Sequence, residues 1–205
     1  MCGILICYSS KEEFNLNDFK NSLELQKHRG PDHTGIERIS DKLFFGHVRL
    51  SIYDLTKNSN QPMISDTSSN VLTFNGDLYN YIELKENLKN KGVNFFSSGD
   101  TEVLLKYVEH YGVNGIKDFN GKWAFCIYDK KSNDLVISRD TIGKQPLYYY
   151  KDDHTIIISS EIKSIFHLLK KKRILRKKYI NAFLKYGYIP NDTEDTIYFD
   201  INRVP

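Results

Sequence analysis

Cysteine is scarce in this chain. Cys2, Cys7 and Cys126 are an odd set, at spacings that fit neither a disulfide framework nor a metal-ligand pattern. No metal site is expected, and a reduced, cytoplasmic compartment is. No apolar run approaches the ~20 residues needed to span a bilayer. The N-terminal apolar stretch stops at Tyr8 and meets Lys11, Glu12 and Glu13, which does not read as a secretory signal. Charge of one sign is also lacking: 29 Lys and Arg against 26 Asp and Glu leave +3, too little to imply a nucleic-acid partner. There is no internal repeat. Aromatic residues are plentiful, with 14 Tyr and 12 Phe, and together with many Ile and Val they favour strands. At 205 residues and 40% hydrophobic content, the chain can bury a full core as one domain with or without a tail.

The N-terminus carries the most unusual chemistry. Cys2 follows Met1 directly and opens the apolar run Gly3-Ile4-Leu5-Ile6. Removal of Met1 would leave Cys2 with a thiol and a free α-amine on one residue. An α-amine has an ordinary pKa of about 7.7–8.0, so a neutral base would sit beside a nucleophile. Cys7 and Cys126 lie inside apolar runs and are expected to be inert packing residues.

Periodicity places the elements in order. Gly3 to Tyr8 reads as a buried strand, and a helix capped by Asn17 or a neighbour runs through Leu23 and Leu25 to the break at Gly30-Pro31. Strands are predicted at 36–39, 43–52 and 71–74, with a polar loop over 56–70. Apolar spacing from Leu78 to Lys91 is helical, which would put Asn75-Gly76 at a strand-to-helix junction with backbone N–H groups free for a ligand. A helix from Val103 to Tyr111 would be capped by Asp100 or Thr101 and closed by Gly112. Strands follow at 123–128, 135–138, 147–150 and 155–159, then helices at 161–169 and 179–186. Between those helices, seven of the nine residues 170–178 are basic, read as a solvated segment or a surface toward a partner. Asn191-Asp192-Thr193 has the form of a glycosylation sequon with no route to the enzyme. The pattern supports an α+β fold but no strand order.

The motifs together resemble the class II glutamine amidotransferase domain, and within it the asparagine synthetase (glutamine-hydrolysing) branch. They are Met1-Cys2-Gly3-Ile4, His28-Arg29-Gly30-Pro31-Asp32, Gly46 to Ile52, Gln61-Pro62-Met63, Phe74 to Tyr81, Gly99-Asp100-Thr101-Glu102, Phe119-Asn120-Gly121 with Trp123-Ala124-Phe125, Arg139-Asp140 with Pro146-Leu147-Tyr148-Tyr149, and Ser160 to Lys163. The resemblance implies an N-terminal-nucleophile hydrolase fold, an αββα four-layer sandwich of two antiparallel sheets. It implies an amidotransferase domain over 2–190 and a linker over 191–205 toward a C-terminal synthetase domain. No Ser-Gly-Gly-x-Asp-Ser phosphate loop occurs in the chain, so a truncated product or a free-standing subunit is expected.

The same resemblance assigns roles. Cys2 would attack the side-chain amide of L-glutamine, releasing glutamate and ammonia, with its own α-amine as base. Asn75 and Gly76 would stabilise the oxyanion and line the glutamine site. Arg49 would hold the substrate α-carboxylate, Asp77 and Asp100 its α-ammonium, and Leu50, Ser51, Ile52 and Tyr53 would line the pocket. No cofactor is expected in this domain; ATP and Mg²⁺ would belong to a synthetase domain or separate synthetase subunit, which would amidate aspartate. A homodimer is left open. Two departures stand out. Asp77 replaces the family's usual Glu. Gly143-Lys144-Gln145-Pro146 replaces a Gly-x-Lys-Pro arrangement, read as a matter of turn geometry and not chemistry. His28, His33 and His47 are read as structural. The alternatives are a degenerate domain that only binds a partner and an N-terminal-nucleophile hydrolase acting on another amide.

Overall fold

The computed structural model describes residues 1–11, 13–67, 69–189 and 193–205. The asparagine of the sequon and the boundary expected at 190/191 lie outside the described residues. In chain order the strands are β1 (Gly3–Ser9), β2 (His33–Ser40), β3 (Leu43–Arg49), β4 (Met63–Ile64), β5 (Asn70–Leu78), β6 (Gly121–Asp129), β7 (Asp134–Arg139), β8 (Tyr148–Lys151), β9 (Thr155–Ser159) and β10 (Asn202–Arg203). The helices are α1 (Leu16–Glu24), α2 (Tyr81–Lys89), α3 (Asp100–Tyr111), α4 (Ile162–Leu169) and α5 (Lys177–Tyr186). One sheet has the order β10-β8-β9-β1-β3-β2 and the other β4-β5-β6-β7. The pairings in both are antiparallel.

Side-chain alternation along the strands builds the layers. In β1, Ile4 and Ile6 face the second sheet, where they meet Val71, Ala124 and Cys126 together with Phe45 and Ile158. Leu5 and Cys7 face the other way, onto Phe19 and Leu23 of α1 and Ile165 and Phe166 of α4. In the smaller sheet, Leu72, Phe74, Phe125 and Ile127 point outward onto Leu84 and Leu88 of α2 and Val103 and Leu104 of α3. The result is four layers, helix, sheet, sheet and helix, as the resemblance implied. Strands buried on both faces explain the continuous apolar runs of β1 and β3.

Local chemistry sets the ends of the elements. Asn15, a neighbour of Asn17, caps α1 by accepting from the N–H groups of Asn17 (2.8 Å) and Asp18 (3.3 Å). Gly92 and Gly112, past the ends of α2 and α3, take φ of 83° and 66°. Among the described residues no helix is long and apolar enough to cross a membrane. The basic segment lies on the surface, partly paired: Lys170 with Asp18 at 2.7 Å and Arg176 with Asp195 at 3.1 Å.

Three expectations change. The strand predicted at 71–74 runs on to Leu78, so Asn75, Gly76 and Asp77 are strand residues opposite Ala124, Trp123 and Lys122. Asp100 is the first residue of α3 and not its cap, a place taken by Gly99. Residues 193–205, expected as a linker, dock on the fold: β10 adds an edge strand to the larger sheet, and Ile201 is fully buried.

Phe45, fully buried between the two sheets, tests the sandwich. Phe45→Ala should destabilise the domain by about 3–5 kcal/mol in urea unfolding. Leu184→Ala, at a 78% exposed position on α5, should stay within about 0.5 kcal/mol. Similar losses for the two would contradict this packing.

Candidate active site

A pocket opens where the N-terminal end of β1 meets β5. It is lined by Cys2, Arg49, Leu50, Ile52, Tyr53, Asn75, Gly76, Asp77 and Asp100, and also by Asp54, Gln61, Thr101, Lys122 and Gln145. Nine of the ten positions expected at the site therefore converge. Ser51 does not: its N–H donates to Asp32 Oδ2 at 2.7 Å, and the residue lies outside the lining.

Cys2 is fixed on three sides. Its N–H donates to Asn75 Oδ1 at 2.8 Å, and Arg29 Nε donates to its carbonyl at 2.8 Å. The Leu50 N–H points at Sγ from 3.4 Å. Arg29 is itself steadied by Glu161 at 2.9 Å. Burial pushes the Cys2 thiol up, more than the Leu50 N–H and the nearby positive charges lower it.

The Asn75 side chain is held at both ends. Oδ1 accepts from Cys2, and Nδ2 donates to Gln145 Oε1 at 2.9 Å. Gln145 is 3% exposed, and its loop is built by the Arg139-Asp140 pair. Asp140 accepts from the N–H groups of Lys144 (2.8 Å) and Gln145 (3.0 Å), while Arg139 Nε donates to the Gln145 carbonyl at 2.7 Å. The departure at 143–146, expected to concern only a turn, thus puts a side chain into the site.

Gly76 offers a backbone donor. The N–H of Phe74 is taken by Gln61 Oε1 (2.5 Å) and that of Leu78 by Asp100 Oδ2 (3.0 Å), both on the side of β5 away from β6. Amides alternate along a strand, so the Gly76 N–H, midway between them, points to that same free edge, into the pocket. A side chain at Gly76 would strike the Lys122 carbonyl, the Phe74 ring at 2.7 Å and Trp123 Cα at 2.8 Å. The glycine is required by the approach of β6.

Charges line the far side. Arg49, 6% exposed, is held by neutral oxygens: the Thr56 carbonyl (2.8 Å), Asn60 Oδ1 (2.8 Å) and the Asp54 carbonyl. No carboxylate pairs with it among the described residues, which leaves a buried cation available to an anion. The Asp54 carboxylate accepts from the N–H groups of Thr56 (2.8 Å) and Ser98 (2.9 Å); although burial pushes it up, hydrogen bonds hold it well below the usual carboxylate range. Asp100 differs. Burial, with Asp77 nearby, pushes its carboxyl up to about 6 against the Leu78 N–H. Asp77 is paired to Lys122 at 2.7 Å.

None of His28, His33 and His47 lines the pocket. His47 is fully buried, with Nε2 on the Phe74 carbonyl at 3.0 Å, and burial pushes its imidazole down to about 3. Among the described residues no group of three or more His, Cys, Asp or Glu is placed to hold a metal ion. The sequence reading missed Asp54, Gln61, Thr101, Lys122 and Gln145. Gln61 and Thr101 stood inside quoted motifs and Gln145 inside the noted departure at 143–146; Lys122 gave no signal, because its place depends on strand register.

Comparison with known proteins agrees with this geometry. A glutamine amidotransferase domain model matches residues 1–205. The chain is 36% identical over 212 residues to the putative asparagine synthetase [glutamine-hydrolyzing] 2 of Methanocaldococcus jannaschii, covering 93% of this chain and 40% of that protein. It is 32% identical over 194 residues to asparagine synthetase [glutamine-hydrolyzing] 1 of Bacillus subtilis, covering 93% of this chain and 30% of that one. The chain thus spans well under half the length of these relatives. Among solved structures, glutamine phosphoribosylpyrophosphate amidotransferase of B. subtilis superposes with a TM-score of 0.70 at 22% identity, over 85% of this chain and 45% of that one. That likeness shows the fold alone, a sandwich of two antiparallel sheets between helices. Matched from first residue to last by one family, this chain belongs to the glutamine amidotransferase domain family.

Proposed function

We propose that this domain hydrolyses the side-chain amide of L-glutamine to glutamate and ammonia, as the glutaminase half of an asparagine-synthetase-like amidotransferase. The observation that carries the reading is the Cys2 N–H on Asn75 Oδ1, which sets a nucleophile candidate beside an oxyanion donor. Removal of Met1 turns that nitrogen into an α-amine. Asn75 Oδ1 then accepts one of its N–H bonds, and the amine lone pair takes the thiol proton. Sγ attacks the amide carbon. The oxyanion meets the Gly76 N–H and the N–H of Asn75 Nδ2 not committed to Gln145. The amine returns the proton to the leaving ammonia, and water cleaves the thioester.

The two charged walls select a free amino acid. The buried Arg49 guanidinium suits the α-carboxylate, and Asp100 with Asp77 suits the α-ammonium. The backbone of Leu50 and the half-open Ile52 and Tyr53 form the rim. The ammonia passes on this reading to a synthetase domain or subunit that would hold ATP and Mg²⁺ and amidate a carboxylate such as that of aspartate. The docked residues 193–205 belong with the glutaminase domain, in a cytoplasmic enzyme.

Intact mass spectrometry should find Met1 removed and one adduct on Cys2 after treatment with an electrophilic glutamine analogue. Cys2→Ala should abolish both adduct and glutamine hydrolysis; hydrolysis by that variant would sink the assignment. Gln145→Leu should lower kcat by about tenfold with KM nearly unchanged, since it frees Asn75 to rotate away from the oxyanion. A changed KM with normal kcat would argue against that role.

Asp100 couples function to pH. Its folded pKa of about 6 exceeds the ordinary 3.8, so the native state binds the proton more tightly than the unfolded chain. Its ionised form therefore costs stability at neutral pH, and the cost is relieved as pH falls through about 6 toward 4. Glutamine KM should rise below about pH 6 as Asp100 loses its charge. Asp100→Asn should raise KM at neutral pH yet stabilise the unliganded domain by about 1–3 kcal/mol, a gain that vanishes in acid. A destabilised variant would count against this balance.

A further inference from the structure

Lys122 projects into the pocket from β6, directly across from Asp77 on β5. Its ammonium sits 2.7 Å from Asp77 Oδ2, and both side chains are partly buried at the wall. The acids of this pocket are thereby divided. Asp54 is spent on backbone N–H groups, and Asp77 on a resident ammonium. Asp100 accepts from the Leu78 N–H at 3.0 Å and from the N–H groups at the start of its own helix, and among the described residues it is ion-paired to no cation. An incoming α-ammonium thus meets an acid already occupied by a group of the same chemistry as itself. A partly exposed ion pair of this kind contributes little to stability, but a positive charge beside an ammonium site weakens cation binding directly.

Resting on the reading of this pocket as a glutamine site, we infer that Lys122 is a specificity-determining residue that competes with the substrate α-ammonium for Asp77. Recognition of the ammonium then falls mainly to Asp100. The domain pays in glutamine affinity and in its power to tell an α-amino acid from the same amide without the amine. The probe for this is glutaramate, which keeps the carboxylate and carboxamide of glutamine and lacks the α-ammonium.

The experiment compares Lys122→Met and Lys122→Gln with the unaltered protein on both amides, by ammonia release. Met keeps most of the apolar stem without the charge, and Gln serves if the Met variant does not fold. KM for L-glutamine should fall about three- to tenfold, with kcat within about twofold, while KM for glutaramate should not fall. The selectivity for glutamine over glutaramate should rise by the same factor. Equal changes on both substrates would mark Lys122 as a structural residue and overturn the inference. So would a rise in KM for glutamine, because Lys122 would then be presenting Asp77 to the ammonium. Failure of the unaltered protein to hydrolyse glutamine would overturn the glutaminase reading, and this inference with it.

Discussion

One hydrogen bond joins the two halves of this site. Cys2 precedes the central strand of the larger sheet, Asn75 lies in a central strand of the smaller one, and the bond from Cys2 N to Asn75 Oδ1 spans them at 2.8 Å. Its length is set by how the sheets pack, through Ile4 and Ile6 on one side and Val71 and Ala124 on the other. On the proposed reading, a change in that spacing would part nucleophile from oxyanion donor, and a shift of about 1 Å is enough to matter in such sites. The surrounding bonds serve this one. Arg29 holds the Cys2 carbonyl, Gln145 holds the other end of the Asn75 amide, and Asp140 holds Gln145. Four motifs far apart in sequence thus converge on one contact.

The electrostatics of the pocket set stability against recognition. Arg49 is a buried cation surrounded by neutral oxygens, and Asp100 a buried acid whose ionisation burial disfavours. Neither is arranged for the stability of the empty domain. Each instead leaves a charge that a zwitterionic ligand would complement, as expected where binding groups are preorganised. The contrast with Asp54 is instructive. Its carboxylate, fully served by Thr56 and Ser98, supports the loop that presents Arg49 and leaves nothing over for a ligand.

Much was legible in the residues. The order of elements followed from periodicity, because each strand or helix answers to its own buried face. That Cys2, Arg49, Asn75, Gly76 and Asp100 would share one pocket was legible because each lies in a motif with a distinct chemical type. The misjudged features were those that depend on a neighbour. β5 outruns its prediction because β6 pairs with it as far as Leu78, overriding the turn signal of Asn75-Gly76. Ser51 misses the pocket because Asp32 captures its N–H.

The sequence alone determined which reactive groups the chain possesses, and in what order they are threaded through strands and helices. That much is written locally, in residue type and spacing. Only the tertiary structure decided which of them meet. The strand register set Lys122 against Asp77, the Arg139-Asp140 clamp turned Gln145 inward onto Asn75, and residues 193–205 closed the larger sheet with a further strand. These pairings join positions tens of residues apart, and a cross-strand or loop contact has no spacing of its own to read. The packing of two sheets and the alternation of side chains along them determine it.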